Sequence, residues 1–277
     1  MHIDWYFSIA NSLFENADYI IFGIPYDSTQ SFKSGSRFAP NAIREASWNL
    51  ESYSQYFSYN LDYAKVCDSG NINCDGSFED IEKRILDFLE RVETVPIAIG
   101  GEHIVSYAVV EDFENVCYLS FDAHFDLRDE FDGTKYSHAC TLRRVYELGF
   151  DIVLIGVRSG LEDEKRFADE NGIKYYYSWE ILEKGVNFIV DDLLKYDAFY
   201  LSLDVDVFDP AFAPGVSTPE PFGLHPIHFL KILEKISKKV VGLDIVEVIP
   251  DSEKITQTLA AKLIIEFIAA REREIKT

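Results

Sequence analysis

Short runs rich in β-forming residues alternate with longer amphipathic stretches along almost the whole chain, and few folds accommodate that rhythm. The candidate strands are residues 19–23, 64–67, 95–99, 116–121, 152–156, 173–176, 199–205 and 240–245. Several are apolar on both faces, as strands must be when helices cover the sheet on each side. Helical candidates lie between them at 40–54, 78–92, 104–113, 141–149, 161–171 and 227–237. In the last helix Ile255, Leu259, Leu263, Ile264, Phe267 and Ile268 recur at helical spacing, and Ser252 is available as an N-cap. Lys262 and Glu266 interrupt its apolar surface, so it packs and does not span. This alternation predicts an α/β fold: one parallel sheet of about eight strands with helices on both faces, as a single domain over residues 1–277. No linker, low-complexity tract or internal repeat divides it.

In such a sheet, ligands bind beyond the carboxyl ends of the strands. Three polar clusters sit there. Gly100-Gly101-Glu102-His103 follows the third run, with two glycines allowing a tight turn. Ser120-Phe121-Asp122-Ala123-His124-Phe125-Asp126 follows the fourth, and extended backbone would project Asp122, His124 and Asp126 to one side. Ser202-Leu203-Asp204-Val205-Asp206 ends the seventh, and extended backbone would again align Asp204 with Asp206. Asp209-Pro210 reads as a turn that shapes the loop.

Two histidines and four aspartates exceed what one catalytic zinc takes. Bridging carboxylates would suit two divalent ions about 3.5–4 Å apart, which ionise water for hydrolysis. Oxygen-rich ligation without cysteine favours manganese over zinc. His138 ends the loop after Asp126 and could carry a proton to a leaving group. Glu247 lies beyond the last strand and could pair with a cationic substrate. By residue type alone, a loop histidine and a surface glutamate are the commoner readings.

The formal net charge of −22 argues against nucleic acid as a partner, because phosphates would be repelled. No apolar stretch reaches the ~18 residues of a membrane span. The first residues, Met1 to Phe7, have no basic flank or small-residue cleavage pattern, so a signal peptide is not expected. Cys67, Cys74, Cys117 and Cys140 show no C-x-x-C pairing and read as reduced packing residues of a cytoplasmic protein, with a Cys67–Cys74 disulfide left open.

Together these segments resemble the ureohydrolases, the arginase and agmatinase superfamily, in the correct order over nearly the whole chain. The matching stretches are Gly100-Gly101-Glu102-His103, Asp122-Ala-His124-Phe-Asp126, Ser202-Leu-Asp204-Val-Asp206-Val-Phe-Asp209-Pro210 and Asp244-Ile-Val-Glu247-Val. Asp209-Pro210-Ala211-Phe212-Ala213-Pro214-Gly215, then Thr218-Pro219-Glu220-Pro221, is most similar to the agmatinase branch. Gly35-Ser36-Arg37-Phe38-Ala39-Pro40 points the same way.

The resemblance implies an arginase-like fold, two Mn2+ per chain and a homo-oligomer, trimer or hexamer. It assigns His103 and Asp126 to one ion and His124 and Asp206 to the other, with Asp122 and Asp204 bridging. Asp126 would also hold the nucleophilic hydroxide, His138 would shuttle the proton, and Glu247 would fix the guanidinium. The expected reaction is agmatine to putrescine and urea, in polyamine biosynthesis. The alternatives are an arginase, another guanidino or amidino hydrolase, or a non-catalytic metal-binding regulator. The loop Leu127-Arg128-Asp129-Glu130-Phe131-Asp132-Gly133, more acidic than basic, would repel an amino-acid carboxylate and so favours agmatine. Glu102 stands where many members have Asp, while Val216-Ser217 and Phe222 depart from the usual loop.

Overall fold

The computed structural model describes residues 6–275. The stretch Met1 to Trp5, in which no signal peptide is expected, lies outside them. Strands run in chain order β1 (Tyr19–Gly23), β2 (Tyr53–Ser54), β3 (Tyr59–Asn60), β4 (Val66–Asn71), β5 (Val95–Ile99), β6 (Cys117–Phe121), β7 (Asp151–Val157), β8 (Lys174–Tyr177), β9 (Phe199–Asp204) and β10 (Val240–Val246). Helices are α1 (Ala39–Ser47), α2 (Phe78–Leu89), α3 (Val105–Val110), α4 (Thr141–Glu147), α5 (Glu162–Glu170), α6 (Ser178–Lys184), α7 (Asn187–Leu193), α8 (Pro226–Ile236) and α9 (Ile255–Ile275). Eight strands form one parallel sheet in the order β4-β1-β5-β10-β9-β6-β7-β8. The remaining two, β2 and β3, make a small antiparallel hairpin.

Period-two alternation divides the core into two layers. Ile21, Leu119, Leu201 and Leu243 point to the side covered by α1 and α6 to α9. Ile20, Ala98, Tyr118 and Tyr200 point to the side covered by α2 to α5. Both faces are buried, which is why the central strands read as continuous apolar runs. Consecutive strands β5 and β6 are not neighbours, because β10 and β9 enter between them. The four central strands are therefore β5, β10, β9 and β6, the ones followed by the polar clusters.

The structure moves several boundaries. The second candidate strand, β4, runs over 66–71, not 64–67, because its polar end is satisfied. Buried Arg44 donates to Asp68 from Nε (2.7 Å) and Nη2 (2.8 Å). The helix expected over 40–54 stops at Ser47, whose hydroxyl turns back onto the Arg44 carbonyl (2.6 Å), and the chain enters the hairpin. Helices α6 and α7 were not expected. Nor is Ser252 an N-cap: the Lys254 N–H closes a turn on the Asp251 carbonyl (3.2 Å), and α9 begins only at Ile255. No helix among the described residues is long and apolar enough to cross a membrane. All four cysteines are free, so Cys67 and Cys74 form no disulfide.

Candidate metal centre

The end of β5 is fastened to its neighbours by backbone alone. Gly100 donates to the Ile245 carbonyl (2.8 Å), Glu102 to that of Tyr26 (2.7 Å), and Glu247 to that of Gly101 (2.8 Å). A Cβ on Gly101 would lie 1.9 Å from the Tyr26 oxygen, so only glycine permits this turn. The turn drives the His103 ring beneath the carboxyl ends of β6 and β9.

There its Nδ1 meets Asp126 Oδ2 at 2.9 Å, Asp122 Oδ2 at 3.1 Å and Asp204 Oδ2 at 3.6 Å. His124 Nδ1 lies 3.0 Å from Asp206 Oδ2 and 3.5 Å from Asp122 Oδ1. Two ligand groups result, His103 with Asp122 and Asp204, and Asp122 with His124 and Asp206. Asp122 belongs to both. All six residues expected as ligands thus converge, from three strand ends.

They do so differently from the alternation expected. Strand β6 ends at Phe121, and Asp126 takes a left-handed conformation (φ 49°) that turns its carboxylate back. Asp204 is the last residue of β9, and Asp206 lies in a 3-10 turn whose N–H donates to Asp204 Oδ1 (2.8 Å). Curled backbone, not an extended strand, concentrates the ligands.

The donor set fits divalent cations. Four carboxylates this close repel one another, and protons or metal ions are the two ways to balance them. Asp126 is pushed up to about 7, by burial first and the Asp122 charge next. Asp204 is driven well above the carboxylate range by burial and by Asp206. Burial also acts upward on Asp122, but hydrogen bonds from His103 and His124 outweigh it and bring it to about 2. Asp122 Oδ2 is buried against the His103 ring (3.1 Å), and a cation there would take the place of the ring proton.

Beside this cluster, His138 Nε2 meets Ser31 Oγ at 3.2 Å, and its own N–H donates to Thr29 Oγ1 (3.2 Å). Phe131 sits edge-on to the imidazole at 5.7 Å. Burial, then the positive fields of His124 and His103, lower His138 to about 4. Glu102 is no ligand: it is fully buried behind Thr29, whose hydroxyl donates to its Oε2 (2.8 Å). Glu247 is buried as well, contrary to a surface reading. Its Oε1 accepts from the His103 N–H (2.7 Å) and its Oε2 from Gln30 Nε2 (2.7 Å).

Asp209 shapes its loop by accepting from the N–H groups of Ala211 and Gly223, each at 3.0 Å. Arg158 holds the same loop, its guanidinium reaching the carbonyls of Asp206 (2.6 Å), Val207 (3.0 Å) and Glu220 (2.9 Å). The resulting cavity of about 190 Å³ is lined by Asp126, Asp204, Asp206, His124, His138 and Glu247 among others. From the loop 127–133 it receives only Arg128 and Phe131, so the acidic residues there do not face a ligand. Arg128 stacks on Phe131 (4.7 Å) and lies 3.7 Å from Glu164. Thr29, Gln30 and Ser31 were missed at the sequence level. Their one signal is a Pro/Asp/Ser-containing loop directly after a strand.

A parallel sheet carrying buried histidine and aspartate at its central strand ends defines a metallohydrolase-type site. The chain belongs to the arginase family, whose pattern it matches over residues 17–270, and it is an enzyme of the ureohydrolase class. It is 39% identical to the agmatinase of Pyrococcus horikoshii over 269 residues, 94% of each chain. It is 37% identical to the N(1)-aminopropylagmatine ureohydrolase of Thermococcus kodakarensis, over 92% of this chain and 91% of that one. The crystal structure of agmatine ureohydrolase from Thermoplasma volcanium superposes with a TM-score of 0.92 at 35% identity, covering 100% of this chain and 97% of the other.

Proposed function

We propose that this enzyme uses two Mn2+ ions to hydrolyse a guanidino compound, agmatine before others, to putrescine and urea. The observation that carries the reading is the convergence of six ligand-type side chains, His138 and buried Glu247 on one cavity. His103 and Asp126 would hold one ion, His124 and Asp206 the other, with Asp122 and Asp204 shared. When bound, such ions bring the pKa of water from 15.7 towards about 7 and so supply hydroxide at neutral pH.

The chain's own groups do the rest. Asp126 accepts a hydrogen bond from the nucleophile and aims it. The Glu247 carboxylate, fixed by the His103 N–H and Gln30, pairs with the guanidinium. His138, neutral at physiological pH and held between Thr29 and Ser31, takes up a proton from solvent on one ring nitrogen as it passes one to the departing amine nitrogen.

The Thermococcus relative supports a second reading, in which the preferred substrate is N(1)-aminopropylagmatine. Urea release with added manganese should be compared across agmatine, N(1)-aminopropylagmatine, arginine and guanidino acids. Greatest turnover on agmatine is expected. Preference for the longer amine selects the second reading, and arginine preference selects an arginase. Full metal loading without urea from any compound selects the regulatory alternative. We further place the protein in the cytoplasm as a trimer or hexamer, the latter to be checked by light scattering of the eluted protein.

A further inference from the structure

We infer that Asp244, acting through Ser202, is a positioning residue that fixes which ring nitrogen of His103 faces the metal ligands. The inference rests on His103 being a ligand. Asp244, Ser202 and Tyr200 are each fully buried. Ser202 and Asp244 are register partners on the adjacent strands β9 and β10. Both Asp244 oxygens are taken: Ser202 Oγ donates to Oδ1 at 2.7 Å, and Tyr200 Oη to Oδ2 at 2.6 Å. A serine hydroxyl has one proton. Once that proton is committed to Asp244, Ser202 can only accept from His103 Nε2, which lies 3.1 Å away. The imidazole therefore carries its proton on Nε2. Nδ1, which faces Asp122, Asp126 and Asp204, is the nitrogen that can give up its proton to a metal ion.

Two other partners compete less well. Ser106 Oγ is 3.3 Å from Ser202 Oγ, longer than the bond to Asp244. Tyr118 Oη is 3.5 Å from His103 Nε2. The carboxylate is what gives the chain its direction, since an amide at 244 could donate to Ser202 and reverse every bond in it. Groups that orient a ligating histidine are typically worth about 10- to 100-fold in metal affinity.

The test is calorimetric titration of Mn2+ into the chelator-treated full chain. Wild type should bind two ions. Asp244→Asn should bind one of them about 10- to 100-fold more weakly, and Ser202→Ala should lose a comparable factor. The double variant should be no worse than Ser202→Ala, because both substitutions break one relay. Multiplying losses would show that Asp244 supports the fold independently and would overturn the inference. Unchanged affinity in either single variant would overturn it too, with the metal assignment intact. If Asp244→Asn does not fold, Ser202→Ala alone decides. A wild type that binds no Mn2+ ends the metal reading and this one together.

Discussion

Glu247 shows how one side chain is spent twice. Its Oε1 is tied to the His103 backbone, joining the cavity wall to the histidine–aspartate cluster, and Gln30 holds its Oε2. Replacement by glutamine keeps the shape and removes the charge. Glu247→Gln should raise KM for the guanidino substrate about tenfold or more, the scale of a lost charge-assisted pair. A KM within twofold of wild type would contradict the pairing. His138 makes a pH prediction. Its pKa, ordinarily near 6.5, is lowered to about 4 by burial and by the neighbouring imidazoles. Between those values the unfolded chain binds more protons than the folded one, so stability rises with pH. This contribution is complete above pH 6.5 and lost as pH falls through 4, at most ~3 kcal/mol. Metal-free His138→Asn should therefore lose less thermal stability than wild type between pH 7 and 5, as differential scanning calorimetry at both pH values would show.

At the scale of elements, the centre depends on how strands end. Gly101 must approach the Tyr26 carbonyl, and Asp126 and Glu247 take left-handed conformations (φ 49° and 64°) that aim their carboxylates inward. Non-glycine residues occupy that region at a cost of about 1–3 kcal/mol each, and the surrounding bonds hold them there. Gly101→Ala would press a methyl group into backbone, a clash that no rotamer relieves. We expect a loss of more than about 3 kcal/mol in denaturant unfolding, or no folded protein at all. Near-wild-type stability would mean that the turn is laxer than its contacts indicate. The limits of sequence reading appear at this scale as well. Asp122, His124 and Asp126 were identified by spacing, yet the geometry that unites them is a curl after Phe121 and not strand alternation. The convergence was legible because residue type marks ligands whatever the backbone does between them.

Over the whole molecule, the site is a junction of four parallel strands: β5, β6 and β9 lead into the ligand-type side chains, and β10 leads into Glu247. A cation entering it replaces the protons or repulsion that the carboxylates otherwise impose, so loading should stabilise the fold. At 100 times Kd one bound ion adds about 2.7 kcal/mol. For a chain of this length that corresponds to roughly 4–10 °C in Tm. A thermal scan with Mn2+ against one with chelator checks this, and an unchanged Tm would count against a preformed site. Asp204→Ala should abolish both that shift and turnover, since Asp204 belongs to the His103 ligand group and is shared in the proposed pair.

The sequence alone determined the fold class, the strand count of the main sheet and which histidines and aspartates gather at its central strand ends. Apolar period and chemically distinctive side chains are local signals, and each survives in a stretch of a few residues. Tertiary structure alone decided that β9 and β10 lie between β5 and β6, that Glu247 is buried, and that Thr29 and Ser31 flank His138. It also decided that Ser202 and Asp244 stand side by side beneath His103. Those facts depend on contacts between residues far apart in the chain, by 42 positions for Ser202 and Asp244, and no local pattern encodes which distant strand becomes a neighbour. Threonine and serine, equally at home in any loop, become part of the site only through what the fold sets against them.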